Sequence, residues 1–299
     1  MIAMLLGLGI PRHSVAEIEL AALISADDVR MAIAVGTNGE LYEPDGAGSW
    51  IRTRPVRTSG ACTTVGRAGK AILASCSGAV YRLAPSGWTA VRMARTGKAQ
   101  TSVGAATVGA VGRQLFALDR MVGGTAPRLA TVPAAILGIG AGATGFVVAT
   151  ERGLYRWTGA SLQPIRRAPR QVQRLISDRW ALIDSGALDL RTGRITRWPP
   201  GLTISIAAPG PQDALIAIGA SDRGLELVTL RSGRLARERV ELAGGGVEVV
   251  SVAADRAGRA IIALRDGRLA IRDQGRWTSV TVREQLPSPA PGAAPATSG

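Results

Sequence analysis

GFVVATERGLYRWTGASLQPIRR, residues Gly145–Arg167, decides the fold. It opens with an apolar run, Phe146–Thr150, of strand length. A tight turn at Arg152-Gly153 follows, then Leu154–Trp157, a second turn at Gly159, and a last short run. Glycine supplies the positive φ that two-residue hairpin turns need, so the stretch reads as three antiparallel strands joined by hairpins.

The same order recurs along the chain. Met31–Arg54 reads MAIAVGTNGELYEPDGAGSWIRTR and Lys70–Met93 reads KAILASCSGAVYRLAPSGWTAVRM. Arg179–Trp198, Asp213–Glu241 and Arg259–Val282 repeat it, and Gln114–Val132 is a weaker copy. Tight turns fall at Asn38-Gly39, Ser77-Gly78, Ser185-Gly186, Arg223-Gly224 and Asp266-Gly267. Before each copy lies a run rich in Ala, Gly, Ser and Thr: Leu20–Ala26, Ala61–Gly66, Ser102–Ala110, Ala134–Gly140, Val172–Ser177, Thr203–Ala208 and Val247–Ala253. These are expected to be the innermost strands, small because neighbouring sheets crowd there. Bulk sits at the outer end of each repeat, as Trp50, Trp88, Trp198 and Trp277. Small-to-large grading within a repeat of about forty residues predicts an all-β chain, a single β-propeller of about seven four-stranded antiparallel blades, with six to eight compatible with the spacing.

Residues 17–284 are expected to form this propeller. Residues 1–16 are expected to be a signal peptide or an N-terminal extension. Ile2–Ile10 has the length of a signal core and Ser14-Val15-Ala16 offers small residues for cleavage, although no basic residue precedes the run. An extra strand, or a short helix opened by a Ser14-x-x-Glu17 capping box, would fit the same residues. Residues 285–299, rich in Pro and Ala, lack the apolar side chains to build a core and are expected to be a disordered tail. No later segment is long and apolar enough to be a transmembrane helix.

The pattern Gly–x–x–Gly–(Leu/Val)–Tyr…Gly–x–x–Trp resembles bacterial propellers of the BNR/Asp-box and photosystem-assembly-factor types, and the propeller sensor domains of bacterial regulators. The resemblance covers roughly Leu20 to Arg283 and is architectural. Asp45-Gly46-Ala47-Gly48-Ser49-Trp50 comes nearest an Asp-box turn; the other repeats lack one.

Enzymatic chemistry finds little support. His13 is the only histidine, which removes histidine-based acid–base and triad catalysis. No cofactor is implied. Gly140-Ala141-Gly142-Ala143-Thr144-Gly145 matches GxGxxG, but a strand rather than a helix follows it, so it reads as a hairpin and not a dinucleotide loop. Two cysteines and one distant histidine make no metal site. Sialidases share the architecture and use an arginine cluster with a tyrosine. Here Tyr42, Tyr81 and Tyr155 occupy one repeat position, which signals packing. A sialidase-like or other carbohydrate-active enzyme stands as an alternative to a non-enzymatic binding propeller, and a cytoplasmic scaffold of the WD-repeat kind as another.

Cys62 and Cys76 are equidistant from the turn near Gly69 and should face each other on adjacent strands, as a disulfide or as two buried thiols. An exported protein favours the disulfide, in a periplasmic or secreted location.

The formal charge is +14, from 36 Lys+Arg against 22 Asp+Glu. All the cations but Lys70 and Lys98 are arginines, scattered rather than run together, which does not point to specific nucleic-acid binding. In an antiparallel blade the second–third turns share one face with the connections between blades. Arg120, Arg152, Arg223 and Arg265 are expected in those turns, with Arg166 and Arg167 in a connection. Such a basic ring would recognise a protein partner or an anionic ligand, with the chain itself expected to be a monomer.

Overall fold

The structure is a computed structural model that describes residues 18–24, 28–37, 39–54, 62–68, 71–76, 79–84, 87–93, 99–102, 108–142, 145–166, 172–242 and 248–283. The expected signal segment and tail lie outside these residues. Within them the chain is all-β apart from two short 3-10 turns.

Apart from Arg92–Met93 and Thr125–Ala126, which pair in parallel as a separate two-stranded sheet, the strands group in sets of four, each antiparallel to the next. Unit 1 comprises Leu20–Ile24, Ile33–Gly36, Leu41–Pro44 and Trp50–Arg54. Unit 2 comprises Cys62–Ala68, Ala71–Cys76, Ala79–Ala84 and Gly87–Ala90. Unit 3 is Ala99–Ser102, Val108–Val111, Gln114–Ala117 and Arg128–Thr131. Unit 4 is Ile136–Gly142, Gly145–Thr150, Gly153–Trp157 and Leu162–Pro164. Unit 5 is Arg174–Leu175, Trp180–Ile183, Gly186–Asp189 and Ile195–Arg197. Unit 6 is Thr203–Pro209, Leu215–Ser221, Gly224–Arg231 and Arg234–Arg239. Unit 7 is Val249–Ala254, Ala260–Leu264, Arg268–Asp273 and Arg276–Arg283. Val282 and Arg283 also run parallel to Trp50 and Ile51, which joins units 1 and 7 into one eight-stranded sheet.

Burial follows strand position. Second strands such as Val108–Val111 and Ala260–Leu264 are buried along their whole length. Fourth strands such as Arg234–Arg239 are largely exposed and polar. Each hydrophobic cluster between units spans two neighbours. Leu73 and Val80 meet Phe116 and Leu118 across units 2 and 3, and Ile216 and Leu227 meet Val252 and Ile262 across units 6 and 7. The last unit packs on the first in the same way, through Ile261, Leu269 and Val282 against Leu20, Tyr42 and Trp50.

Backbone hydrogen bonds repeat the pattern. The second–third turn of one unit accepts the first N–H of the next inner strand: Cys62 N–H to Thr37 O, 3.1 Å, and Ile136 N–H to Gly112 O, 3.0 Å. Leu20 N–H donates to Arg265 O at 3.1 Å, so the last turn meets the first strand by the rule used inside the chain. This is an all-β, propeller-like fold.

Small inner residues have a steric cause. A Cβ on Gly140 would lie 2.5 Å from Ser177 O, and one on Gly142 would strike the Asp178 carboxylate, both in the adjoining unit. The GxGxxG stretch is therefore a hairpin, Ile136–Gly142 paired with Gly145–Thr150, whose glycines admit a neighbouring backbone.

Unit 3 departs from the sequence expectation. Ser102–Ala110 was expected as one inner strand; Ala99–Ser102 fills that place, and Val108–Val111 is the second strand. Gln114–Ala117 is consequently the third strand rather than the second. The turn at Gly112-Arg113, with Gly112 at φ 59, reverses the order of Gly and Arg found elsewhere and hid the hairpin.

Candidate functional site

On the face formed by the second–third turns, the turns of units 4 and 6 share a tetrapeptide. Thr150-Glu151-Arg152-Gly153 and Ser221-Asp222-Arg223-Gly224 both place a hydroxyl before an acid, an arginine and a glycine. In each the hydroxyl oxygen accepts the arginine N–H, at 3.2 Å for Arg152 and 3.1 Å for Arg223. The glycines take φ 128 and φ 97, closed to ordinary side chains. The turn thus fixes the arginine backbone and leaves Arg152 and Arg223 exposed.

Arg265 lies in the corresponding turn of unit 7, but its guanidinium is engaged. Nε and Nη2 donate to the two carboxylate oxygens of Glu248 at 2.6 and 2.8 Å. That hydrogen bond holds the Glu248 carboxyl below its usual value and raises Arg265. Arg120 is not on this face. It follows the third strand of unit 3, in the connection to the fourth, because of the strand shift described above. Arg113 takes its place, exposed, with Nε donating to Val132 O at 3.0 Å. Arg166 is exposed just after the fourth strand of unit 4. Arg167 lies outside the described residues.

The face is therefore not uniformly basic. Glu151 precedes Arg152, Asp222 precedes Arg223, and Asp266 follows Arg265, so three of the four basic turns carry a carboxylate beside the cation. Arg113 has no such neighbour. Close to it, Leu137 is 59% exposed. Leu137 is the extra residue of a β-bulge where the inner strand of unit 4 begins. Equivalent bulges interrupt the inner strands of units 1, 2, 6 and 7. Bulges at sheet margins re-aim side chains, here near the start of those five inner strands.

Carboxylates escaped the sequence reading. Asp178, Asp189 and Glu226 are buried, as is Asp255. Each has an arginine partner: Asp189 with Arg179 at 3.1 Å, Asp255 with Arg259 at 2.7 Å, Asp178 with Arg191 at 4.0 Å and Glu226 with Arg237 at 2.6 Å. Other pairs cross between units, as Arg179 and Arg191 to Asp213, Arg272 to Glu238, and Arg30 to Asp273. Much of the arginine is structural. Spacing signalled one of these pairs: Asp255 stands four residues before its partner Arg259, whereas Asp178, next to Arg179, pairs with Arg191. Asp45, in the Asp-box-like turn, accepts the N–H groups of Ser49 and Ala47, and these lower its carboxyl.

Glu226 gives a pH-dependent test. Hydrogen bonds from Arg237, then from Ser221, bring its carboxyl from an ordinary 4.5 down to about 2. A carboxyl depressed by folding stabilises the fold fully above its unfolded value. The contribution fades as pH falls from about 4.5 to about 2. Glu226→Gln is expected to cost about 2 kcal/mol at pH 7, at the low end because Arg237 is 23% exposed and can rehydrate. Urea titrations of both proteins should converge between pH 4.5 and 2. A pH-independent gap would remove the charge from the explanation.

Cys62 and Cys76 are paired residues on adjacent strands of unit 2 and are joined by a disulfide. No group of three or more His, Cys, Asp and Glu among the described residues is placed to hold a metal ion. Among the same residues, no helix is long and apolar enough to cross a membrane.

Sheets and site together define a propeller-like protein, distantly similar in fold to bacterial and eukaryotic propellers. The WD40 β-propeller domain of Doa1 superposes with a TM-score of 0.60 at 13% identity, over 86% of this chain and 93% of that one. YCF48 from Cyanidioschyzon merolae gives 0.55 at 16%, over 85% and 94%. The extracellular domain of BT4673 from B. thetaiotaomicron gives 0.53 at 12%, over 86% of this chain and 38% of that one. No protein-family model matches the chain, and no curated protein matches it. Identities this low speak for the fold alone.

Proposed function

We propose that the chain is a single seven-bladed propeller, units 1 to 7 being its blades, that acts outside the cytoplasm as a non-enzymatic binding module for a protein partner. The observation that carries this reading is the composition of the second–third turn face. Fixed turns present Arg113, Arg152 and Arg223 with Glu151 and Asp222 among them, and Leu137 stands exposed beside Arg113. Alternating charge around an apolar residue suits a protein surface of complementary pattern, which gains specificity from the charges and anchorage from the apolar group. A polyanion would favour a face of one sign. The disulfide supports a place outside the reducing cytoplasm.

The test is quantitative capture from the native host under crosslinking. Wild type is compared with Arg152→Ala/Arg223→Ala, with Leu137→Ser, and with Arg194→Ala on the opposite face. A partner retained by wild type and Arg194→Ala should fall about tenfold with each of the other two. Capture that none of the variants changes would displace the proposed face. Intact-mass measurement of the same preparations reads the mature N-terminus and the state of the cysteines.

A further inference from the structure

At the other end of the strands a cleft opens between units 6 and 7. It holds about 320 Å³ and lies between the third and fourth strands of unit 6 and the first–second turn of unit 7. Its floor is apolar, formed by Ile216 and Leu227 on one side and Ala260 on the other, all buried. This volume falls in the range of small-molecule sites, which combine apolar walls with a few convergent polar groups.

The polar groups of the rim divide into satisfied and unsatisfied. Arg237 is held by Glu226 through two hydrogen bonds, at 2.6 and 2.7 Å. Arg272 donates to Glu238 at 2.5 Å and to Gly258 O at 2.8 Å. Asp255 is paired with Arg259. That leaves Arg231, from unit 6, and Arg256, from unit 7. Both line the cleft, both are exposed, and neither guanidinium bonds to a carboxylate among the described residues. One comes from each of the two units that form the cleft, so an anion bound there would neutralise two cations that the protein itself leaves uncompensated.

The rim is also held in an unusual backbone shape. Gln212 and Asp213 are consecutive non-glycine residues at φ 55 and φ 61. Trp180 Nε1 donates to Asp213 O at 2.7 Å, and Arg179 and Arg191 donate to its carboxylate at 3.4 and 3.0 Å. Three contacts from unit 5 thus fix this turn, and it puts Gln212 on the cleft lining. Residues held in sparsely populated conformations persist where the surroundings over-determine them.

We infer that this cleft binds a small organic anion with an aliphatic body, its carboxylate between Arg231 and Arg256 and its chain on the Ile216–Leu227–Ala260 floor. The site lies on the face opposite the proposed partner surface and does not depend on it.

Octanoate is the probe, titrated calorimetrically into the full chain. With about ten non-hydrogen atoms it should bind one to one, with a dissociation constant on the order of 1 mM. Acetate carries the charge without the chain, and octan-1-ol the chain without the charge; each should bind at least about tenfold more weakly. Arg231→Ala/Arg256→Ala should weaken octanoate about tenfold without shifting the urea midpoint, since both side chains are exposed and unpaired. Ala236→Phe fills the cleft from an exposed position and should weaken it similarly with the charges intact. Absence of saturable binding by wild type, octan-1-ol binding as well as octanoate, or affinity unchanged in both variants would each overturn the assignment.

Discussion

Trp50→Ala is expected to destabilise the fold by about 3–5 kcal/mol, read as a lower urea midpoint at unchanged slope. Trp50 is 2% exposed and opens the fourth strand of unit 1. It belongs to the cluster in which unit 1 meets Ile261, Leu269 and Val282 of unit 7. Its Nε1 donates to Ala32 O at 2.8 Å. Truncation removes a large buried ring, leaves a cavity between the first and last units, and orphans a carbonyl. The loss falls where chain ends separated by nearly the whole sequence must meet. Trp50→Phe keeps the ring volume closer and should recover most of the stability. A midpoint for Trp50→Ala within error of wild type would mean that units 1 and 7 do not depend on this contact.

Reduction of Cys62–Cys76 should lower stability by about 3 kcal/mol, the entropic estimate for a closed loop of this length. The separation of the two residues is 14. Both sulfurs sit in a small apolar cluster with Ala74, against Tyr81 and Trp88, so the free thiols remain acceptable as small hydrophobic groups. Loss of stability should therefore come from the freer unfolded chain and not from disrupted packing. Urea titrations with and without dithiothreitol read the effect, and Cys62→Ala/Cys76→Ala should match the reduced protein in both conditions. A midpoint indifferent to reductant would show that the bridge does not contribute, and would withdraw the support it lends to a place outside the cytoplasm.

Unit 3 marks where reading by residue type breaks down. Val108–Val111 contains Gly and Ala between two valines, so its run is weakly apolar even though every residue is buried. The turn after it has Gly before Arg, and the register slipped by one strand. That slip moved Arg120 onto the wrong face and concealed Arg113. The buried carboxylates were missed for another reason. Acidic residues near strand ends look like ordinary turn residues, and only the neighbouring strand reveals that Glu226 is enclosed by Arg237 and Ser221.

The alternation of apolar runs with glycine turns was sufficient to establish strands, hairpins and repetition, because positive φ and strand-length apolar runs are local requirements. It also placed Cys62 opposite Cys76, since antiparallel register counts outward from a turn. Which arginines remain available was decided by tertiary structure. Arg265 and Arg237 are occupied by Glu248 and Glu226, while Arg231 and Arg256 line a cleft that exists only because units 6 and 7 pack together. Charge compensation acts through space over a few ångströms, and Arg265 with Glu248 and Arg237 with Glu226 join residues 17 and 11 positions apart.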